Sequence, residues 1–202
     1  RACMVEIEGE RVLAASCIRT PTDGMVVNSD NHRAKTARKM VMELLVADQP
    51  PRDQSHDPDS ELWRYAETQH VDSARFPAKA SPAADSSHPA MTVNLDACIH
   101  CTLCVRACRE VQVNDVIGMA HRGAASKVVF DLDDAMGQSS CVGCGECVQA
   151  CPTGALSPTS LIDAQGRGNS DSAERKVDSV CPYCGVGCQL TYHVKDDAIL
   201  YV

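Results

Sequence analysis

The sequence predicts an α+β chain assembled from small cysteine-stapled modules in place of one large apolar core. Three observations predict it. Eight of the thirteen cysteines fall in two matching runs, Cys98, Cys101, Cys104, Cys108 and Cys141, Cys144, Cys147, Cys151. Aromatic residues make up only 3% of the chain, with two Phe and one Trp, too few to fill a large core, so metal-thiolate bonds must supply much of the stability. Short β-patterned stretches also alternate with brief helical ones along the 202 residues, as expected of compact mixed units.

Each run reads C-x-x-C-x-x-C-x-x-x-C, and Pro152 follows the second. Three thiolates at intervals of three let one tight loop wrap three corners of an iron-sulfur cubane. The fourth cysteine lies too far round the next turn to reach the same cluster, and ligates the other one. On this rule Cys98, Cys101, Cys104 and Cys151 hold one [4Fe-4S] cluster, while Cys141, Cys144, Cys147 and Cys108 hold its partner. The alternatives fit less well. Zinc sites use two C-x-x-C knuckles a dozen or more residues apart. A disulfide framework suits a small secreted chain with an even cysteine count and an apolar leader, and neither feature is found here.

Charge and hydropathy exclude other classes. The formal charge is −8 with no dense Lys/Arg cluster, which argues against a nucleic-acid partner. No apolar run approaches a membrane span. Thiols that must stay reduced until iron arrives imply a reducing compartment, the cytoplasm.

In chain order, Val5 and Ile7 on one side of Gly9, with Val12 and Leu13 on the other, predict a hairpin with Cys3 and Cys17 near its ends. Ala34, Ala37, Val41, Leu44 and Leu45 recur at helical spacing, with Asp30 as candidate cap and Pro50-Pro51 as the stop. Residues 48–90 hold six of the ten prolines and predict a connector with one short helix around Glu61 to His70. There His56, His70 and His88 read as exposed loop residues, not ligands. Residues 91–162 form the two-cluster module, with a helix over Leu103 to Val113 and a strand over Lys127 to Leu132. Gly143 and Gly145 supply positive φ, so that backbone N–H groups point at sulfur. His100, inside the first loop, reads as a surface side chain. A polar linker, 163–178, precedes 179–202, where Cys181, Cys184 and Cys188 are spaced C-x-x-C-x-x-x-C and Thr191 to Val194 with Ala198 to Val202 predict a hairpin. Taken alone, the last cysteines fit half a zinc ribbon as well as three ligands of a further cluster.

The thirteen-residue gap between Cys3 and Cys17 resembles the second half of the [2Fe-2S] motif in the large iron-sulfur subunits of respiratory NADH dehydrogenases and their relatives. That resemblance implies that residues 1–47 are the C-terminal half of a [2Fe-2S] ferredoxin-like, β-grasp module plus a helix, with two more cysteine ligands upstream, the nearer just before Arg1. The same family carries a cubane site of one histidine and three cysteines after this helix, introduced by His-Pro. Here the stretch is Asp48-Gln49-Pro50-Pro51, without the histidine or the cysteines, so that site is lost. The central module resembles bacterial-type 2x[4Fe-4S] ferredoxins, except that Arg109 stands where their pattern has proline.

Ser179-Val180-Cys181-Pro182-Tyr183-Cys184-Gly185-Val186-Gly187-Cys188 resembles the start of the molybdopterin oxidoreductase [4Fe-4S] domain of molybdenum- or tungsten-containing formate dehydrogenases, whose fourth cysteine lies well downstream. Together these pieces resemble the N-terminal iron-sulfur region of the catalytic α subunit of an NAD-dependent formate dehydrogenase. The resemblance implies an electron relay between a Mo- or W-bis-molybdopterin guanine dinucleotide site in the rest of the α subunit and a flavin- and NAD-binding iron-sulfur β subunit that carries FMN. No catalytic residue for formate is present in these residues. The rival readings are the electron-input module of an NADH dehydrogenase or iron hydrogenase, and a non-redox zinc-binding assembly module.

Overall fold

A computed structural model describes residues 2–78, 82–162 and 173–202. The chain divides into two compact units, Arg1–Gln49 with Asp59–Ala80, and Pro50–Pro58 with Ser81–Val202. The segment expected as a connector is therefore shared. Its helix belongs with the N-terminal residues.

In the first unit β1 (Met4–Ile7) is the middle strand of an antiparallel sheet, flanked by β2 (Ala14–Ala15) and β3 (Val27–Asn28). The expected hairpin is present, with Met4 opposite Ala15 and Val5 opposite Ala14. Alternation along β1 buries Val5 and Ile7, the period-two pattern of a strand with one covered face. Helix α1 (His32–Ala47) packs on β1 and ends before Pro50. Its cap is Asn31, not Asp30: the Asn31 Oδ1 accepts from the Ala34 N–H at 2.9 Å, while Asp30 pairs with Lys35 at 2.9 Å. An amide oxygen at the N-cap satisfies an N–H that the helix leaves without a partner.

The buried stripe of α1 is Ala34, Met42, Val46 and Ala47, and Leu44 is exposed. Leu44 stands about 200° round the helix from Met42, so apolar spacing alone placed it wrongly. Glu43 is buried beside that stripe, where its carboxylate accepts from Arg75 Nε at 2.8 Å. The short helix expected in the connector is α2 (Glu61–Thr68), which contacts α1 and buries Leu62, Trp63 and Ala66.

The second unit contains β4 (Met91–Val93), α3 (Leu103–Arg106), the hairpin β5 (Ile117–Ala120) and β6 (Lys127–Phe130), α4 (Glu146–Gln149) and β7 (Leu156–Pro158). Strand β7 returns antiparallel to β4, with Val93 opposite Leu156 and Met91 opposite Pro158, which closes the module on itself. The core that results is a mixed one: Met91, Val93, Val116, Ile117, Val128, Phe130, Met136 and Leu156 pack around buried Cys104, Cys108 and Cys147. Beyond Arg106 the helix widens into a π turn over Ala107–Val111, with the Gln112 N–H donating to the Ala107 carbonyl at 3.1 Å. Cys108 sits in that turn, the kind of irregularity that re-aims a functional side chain.

The last sheet has the order β10-β9-β8, from β8 (Arg175–Val180), β9 (Gln189–Lys195) and β10 (Ala198–Tyr201). The β9–β10 hairpin is the one expected, turning through Asp196 and Asp197 at positive φ. Most of the expected linker lies outside the described residues, but its end is already strand from Arg175. Every residue of β8 is exposed, so no alternating apolar pattern announces it, and its place is set by backbone pairing to β9.

Candidate metal centres

The two loops that open with Cys98 and Cys141 share one backbone design. At the third residue of each, His100 (φ 54°) and Gly143 (φ 69°), the chain turns left-handed, and at the fifth, Thr102 (φ 63°) and Gly145 (φ 79°), it does so again before entering α3 or α4. This turn aims N–H groups inward. The His100 N–H points at Cys98 Sγ at 3.5 Å and the Gly143 N–H at Cys141 Sγ at 3.4 Å. Glycine does this without strain in the second loop, whereas the first uses a histidine and a β-branched threonine in a region costly to L-residues. His100 is half-buried there, where the sequence suggested a surface side chain.

Each loop supplies three cysteines to a recess, and the fourth arrives from the other run. Cys98, Cys101, Cys104 and Cys151 line a recess walled by Leu95, Val128 and Leu156. Cys108, Cys141, Cys144 and Cys147 line a second, walled by Met91, Val116 and Ile117. Electrostatics draw the same quartets. Burial first, and then the neighbouring charges of Cys98, Cys151 and Cys101, push the Cys104 thiol up to about 12. Burial, then Cys141 and Cys144, with Cys108 a smaller contributor, push Cys147 up to about 12.

A quartet of thiolates in an apolar recess repels itself unless cationic metal lies between the sulfurs. The donor set is four sulfurs with apolar walls, which suits the soft ligation of iron-sulfur clusters or zinc. Four sulfurs line each recess, three from one tight loop and one from the other run, which is the ligand set of a cubane, so the residues present fit one in each. Other groups point at the sulfurs too: Val116 N–H at Cys108 Sγ (3.3 Å) and the Thr153 hydroxyl beside Cys151 Sγ (3.6 Å).

The remaining five cysteines form a pair and a triplet. In the first unit Cys3 and Cys17 flank the β1–β2 pair with their Sγ atoms 3.3 Å apart, and that hydrogen bond holds the Cys3 thiol below its ordinary range. In the second, Cys181, Cys184 and Cys188 occupy the loop between β8 and β9. This loop is closed by the Cys181 N–H on the Cys188 carbonyl (2.8 Å) and turned by Gly185 and Gly187 at positive φ. Cys184 and Cys188 are exposed.

Of the three histidines expected in exposed loops, His70 is exposed, but His56 and His88 are buried, 6% and 8% accessible. Nothing in the local polar sequence around them signals this. For His88 the cover includes Gly143, whose α-carbon faces the ring.

Residues 97–155 match the family model of the 4Fe-4S dicluster domain, and residues 174–202 that of the molybdopterin oxidoreductase Fe4S4 domain. Over 95% of its length the chain is 33% identical to an NADH-quinone oxidoreductase component of Rhizobium meliloti, of which it covers 22%. It is 35% identical over 77% of its length to a component of the NADP-reducing hydrogenase of Solidesulfovibrio fructosivorans, covering 27% of that protein. Over 99% of its length it is 27% identical to a "putative formate dehydrogenase" of Staphylococcus haemolyticus, covering 24%. The crystal structure of an NAD+-reducing [NiFe]-hydrogenase in the H2-reduced state superposes with a TM-score of 0.67 at 25% identity, over 78% of this chain and 68% of that one. The chain thus spans about a quarter of the length of the curated relatives it matches. These relatives are oxidoreductases or parts of them, and the two family models mark iron-sulfur segments within this chain. No helix among the described residues is long and apolar enough to cross a membrane.

Proposed function

We propose that the chain is the iron-sulfur relay of a cytoplasmic, NAD-dependent formate dehydrogenase, passing electrons between a molybdenum or tungsten bis-pterin site elsewhere in the same polypeptide and a flavin- and NAD-binding partner subunit. The observation that carries this reading is an order: a 4Fe-4S dicluster domain at 97–155 followed by the molybdopterin oxidoreductase Fe4S4 domain at 174–202. The relative bearing a formate dehydrogenase name matches along 99% of the chain, so one alignment with that relative runs through both pieces.

Iron-sulfur clusters, when bound, supply one-electron carriers, and formate oxidation yields two electrons that must travel singly to a flavin. What this chain contributes is placement and tuning. In this reading Cys98, Cys101, Cys104 and Cys151 hold one cubane and Cys141, Cys144, Cys147 and Cys108 the other, so each run lends a ligand to its neighbour and fixes the spacing. The apolar walls exclude water, and the N–H groups of His100, Gly143 and Val116 bias the potentials through the sulfurs. Cys181, Cys184 and Cys188 would hold a third cubane completed downstream, and Cys3 with Cys17 half of a [2Fe-2S] site.

A second reading, the input arm of an NADH dehydrogenase, draws on the higher identity to the NADH-quinone oxidoreductase relative. The purified complex separates them. Formate added anaerobically should bleach the visible cluster absorption, and molybdenum or tungsten should accompany iron in metal analysis. Bleaching by NADH but never by formate, with neither metal present, would overturn the formate reading.

A further inference from the structure

Thr153 meets the first quartet through its fourth ligand. The residue follows Cys151 by two positions, is buried at 1% accessibility, and belongs to the wall of the recess lined by Cys98, Cys101, Cys104 and Cys151. Its Oγ1 lies 3.6 Å from Cys151 Sγ, within reach of a hydrogen bond to sulfur.

The direction of that bond follows from which atoms carry protons. A cysteine that ligates metal is a thiolate and has no proton to give. The hydroxyl has one proton and two lone pairs. One lone pair is engaged, because the Ala155 N–H donates to Oγ1 at 3.4 Å. Among the described residues Cys151 Sγ is the acceptor left for the hydroxyl proton.

The surroundings hold Thr153 in that pose. Gly154 turns at φ 75° and packs so tightly on the 50–58 segment that a Cβ there would stand 2.7 Å from the Asp57 Cβ and 3.0 Å from its nitrogen. The Gly154 carbonyl accepts from the Ser157 hydroxyl at 2.9 Å, and the Ala155 carbonyl accepts from the Asn94 N–H at 2.7 Å. With the backbone fixed and χ1 restricted by the β-branch, the hydroxyl stays on the sulfur. The second quartet has no such group. Two residues beyond Cys108 stands Glu110, exposed and paired with Arg106 at 3.1 Å, and Cys108 Sγ receives the backbone N–H of Val116 instead.

We propose that Thr153 sets the potential of the cluster held by Cys98, Cys101, Cys104 and Cys151 by donating its hydroxyl proton to the Cys151 sulfur. A hydrogen bond to a ligating sulfur stabilises the extra negative charge of the reduced cluster, and in an apolar recess that bond is strengthened by the low local dielectric. Loss of the hydroxyl therefore lowers the potential of this cluster and leaves the Cys108 quartet untouched. The inference rests on the reading that the first quartet holds a cubane.

The test is a redox titration of the iron-loaded complex followed by electron paramagnetic resonance. Thr153→Val keeps the shape and removes the hydroxyl, whereas Thr153→Ser keeps the hydroxyl and removes a methyl. Expected for Thr153→Val is a fall in one midpoint that lowers its reduction equilibrium constant about fivefold, or about 40 mV at about 59 mV per tenfold change for a one-electron couple. The shifted signal should be the one that survives in Cys108→Ala, and Thr153→Ser should keep most of the parent's value. Unmoved midpoints in Thr153→Val, a fall as large in Thr153→Ser, or a shift confined to the signal lost in Cys108→Ala would overturn the proposal. Should Thr153→Val lose its cluster, the parent labelled with hydroxyl-17O threonine still decides. A 17O coupling to one reduced cluster that vanishes in Thr153→Ser supports the proposal, and the absence of any coupling that depends on residue 153 refutes it. A parent without iron and sulfide would instead refute the underlying cluster reading.

Discussion

Gly137→Ala isolates the fastening of the 85–88 segment, because Gly137 has no positive φ and its replacement meets steric resistance alone. The new Cβ would stand 2.3 Å from the Ser87 carbonyl oxygen and 2.6 Å from its carbon. Both are backbone atoms, so no side-chain rotation relieves the contact, and the segment must retreat by about 1 Å to reach an ordinary separation near 3.4 Å. Overpacking of this kind costs about 1–3 kcal/mol. The retreat also stretches the Gly137 N–H bond to the Ser87 hydroxyl, worth about 1 kcal/mol. Together they amount to about 2–4 kcal/mol, or a midpoint lower by about 1–2 M in urea at an m-value of about 2 kcal/mol/M. Anaerobic urea unfolding of the iron-loaded complex, followed by cluster absorption, measures this. Gly118→Ala is the control: its Cβ would meet only Val129 Cγ2 at 3.8 Å, and alanine in strand β5 should be neutral or stabilising by about 0.5–1 kcal/mol. A Gly137→Ala midpoint indistinguishable from that of Gly118→Ala would refute the close approach.

Replacing Cys108 by Ala should remove or degrade the cluster of Cys141, Cys144 and Cys147 and spare the one beside Cys104, with about half the iron of the pair at risk; loss of the other signal in electron paramagnetic resonance would reverse the pairing. Thr102→Gly should slow cluster loss in urea, since it relieves a β-branched residue at φ 63°, a strain of about 1–2 kcal/mol partly offset by glycine entropy of about 0.5–1 kcal/mol; faster loss would contradict the strained loop. Asp85 gives a pH dependence. Burial raises its carboxyl, but hydrogen bonds from Ser87 and the Met136 N–H outweigh this and hold it below the ordinary value of 3.8. A lowered carboxyl stabilises the fold above its unfolded value, and that contribution disappears as pH falls through the folded one. Stopped-flow bleaching should therefore find Asp85→Asn losing its clusters faster than the parent at pH 7, with the two rates converging below about pH 4; a gap that widens in acid would contradict the assignment.

Sequence alone determined what depends on near neighbours. Fixed intervals between cysteines dictate loops that gather three sulfurs, and Gly143 and Gly145 carry the backbone geometry in their identity. The hairpin around Gly9, helix α1 and the β9–β10 turn were legible for the same reason. Tertiary structure decided whatever joins distant segments. It brought β7 back to β4, put Asp59–Ala80 with the N-terminal unit, buried Glu43 against Arg75, and laid His88 on Gly143, which lies 55 residues further along. Polar segments such as 82–88 and Arg175–Val180 show no hydrophobic period. Their positions come from backbone hydrogen bonds and from one glycine that admits close approach, contacts that no spacing along the chain encodes.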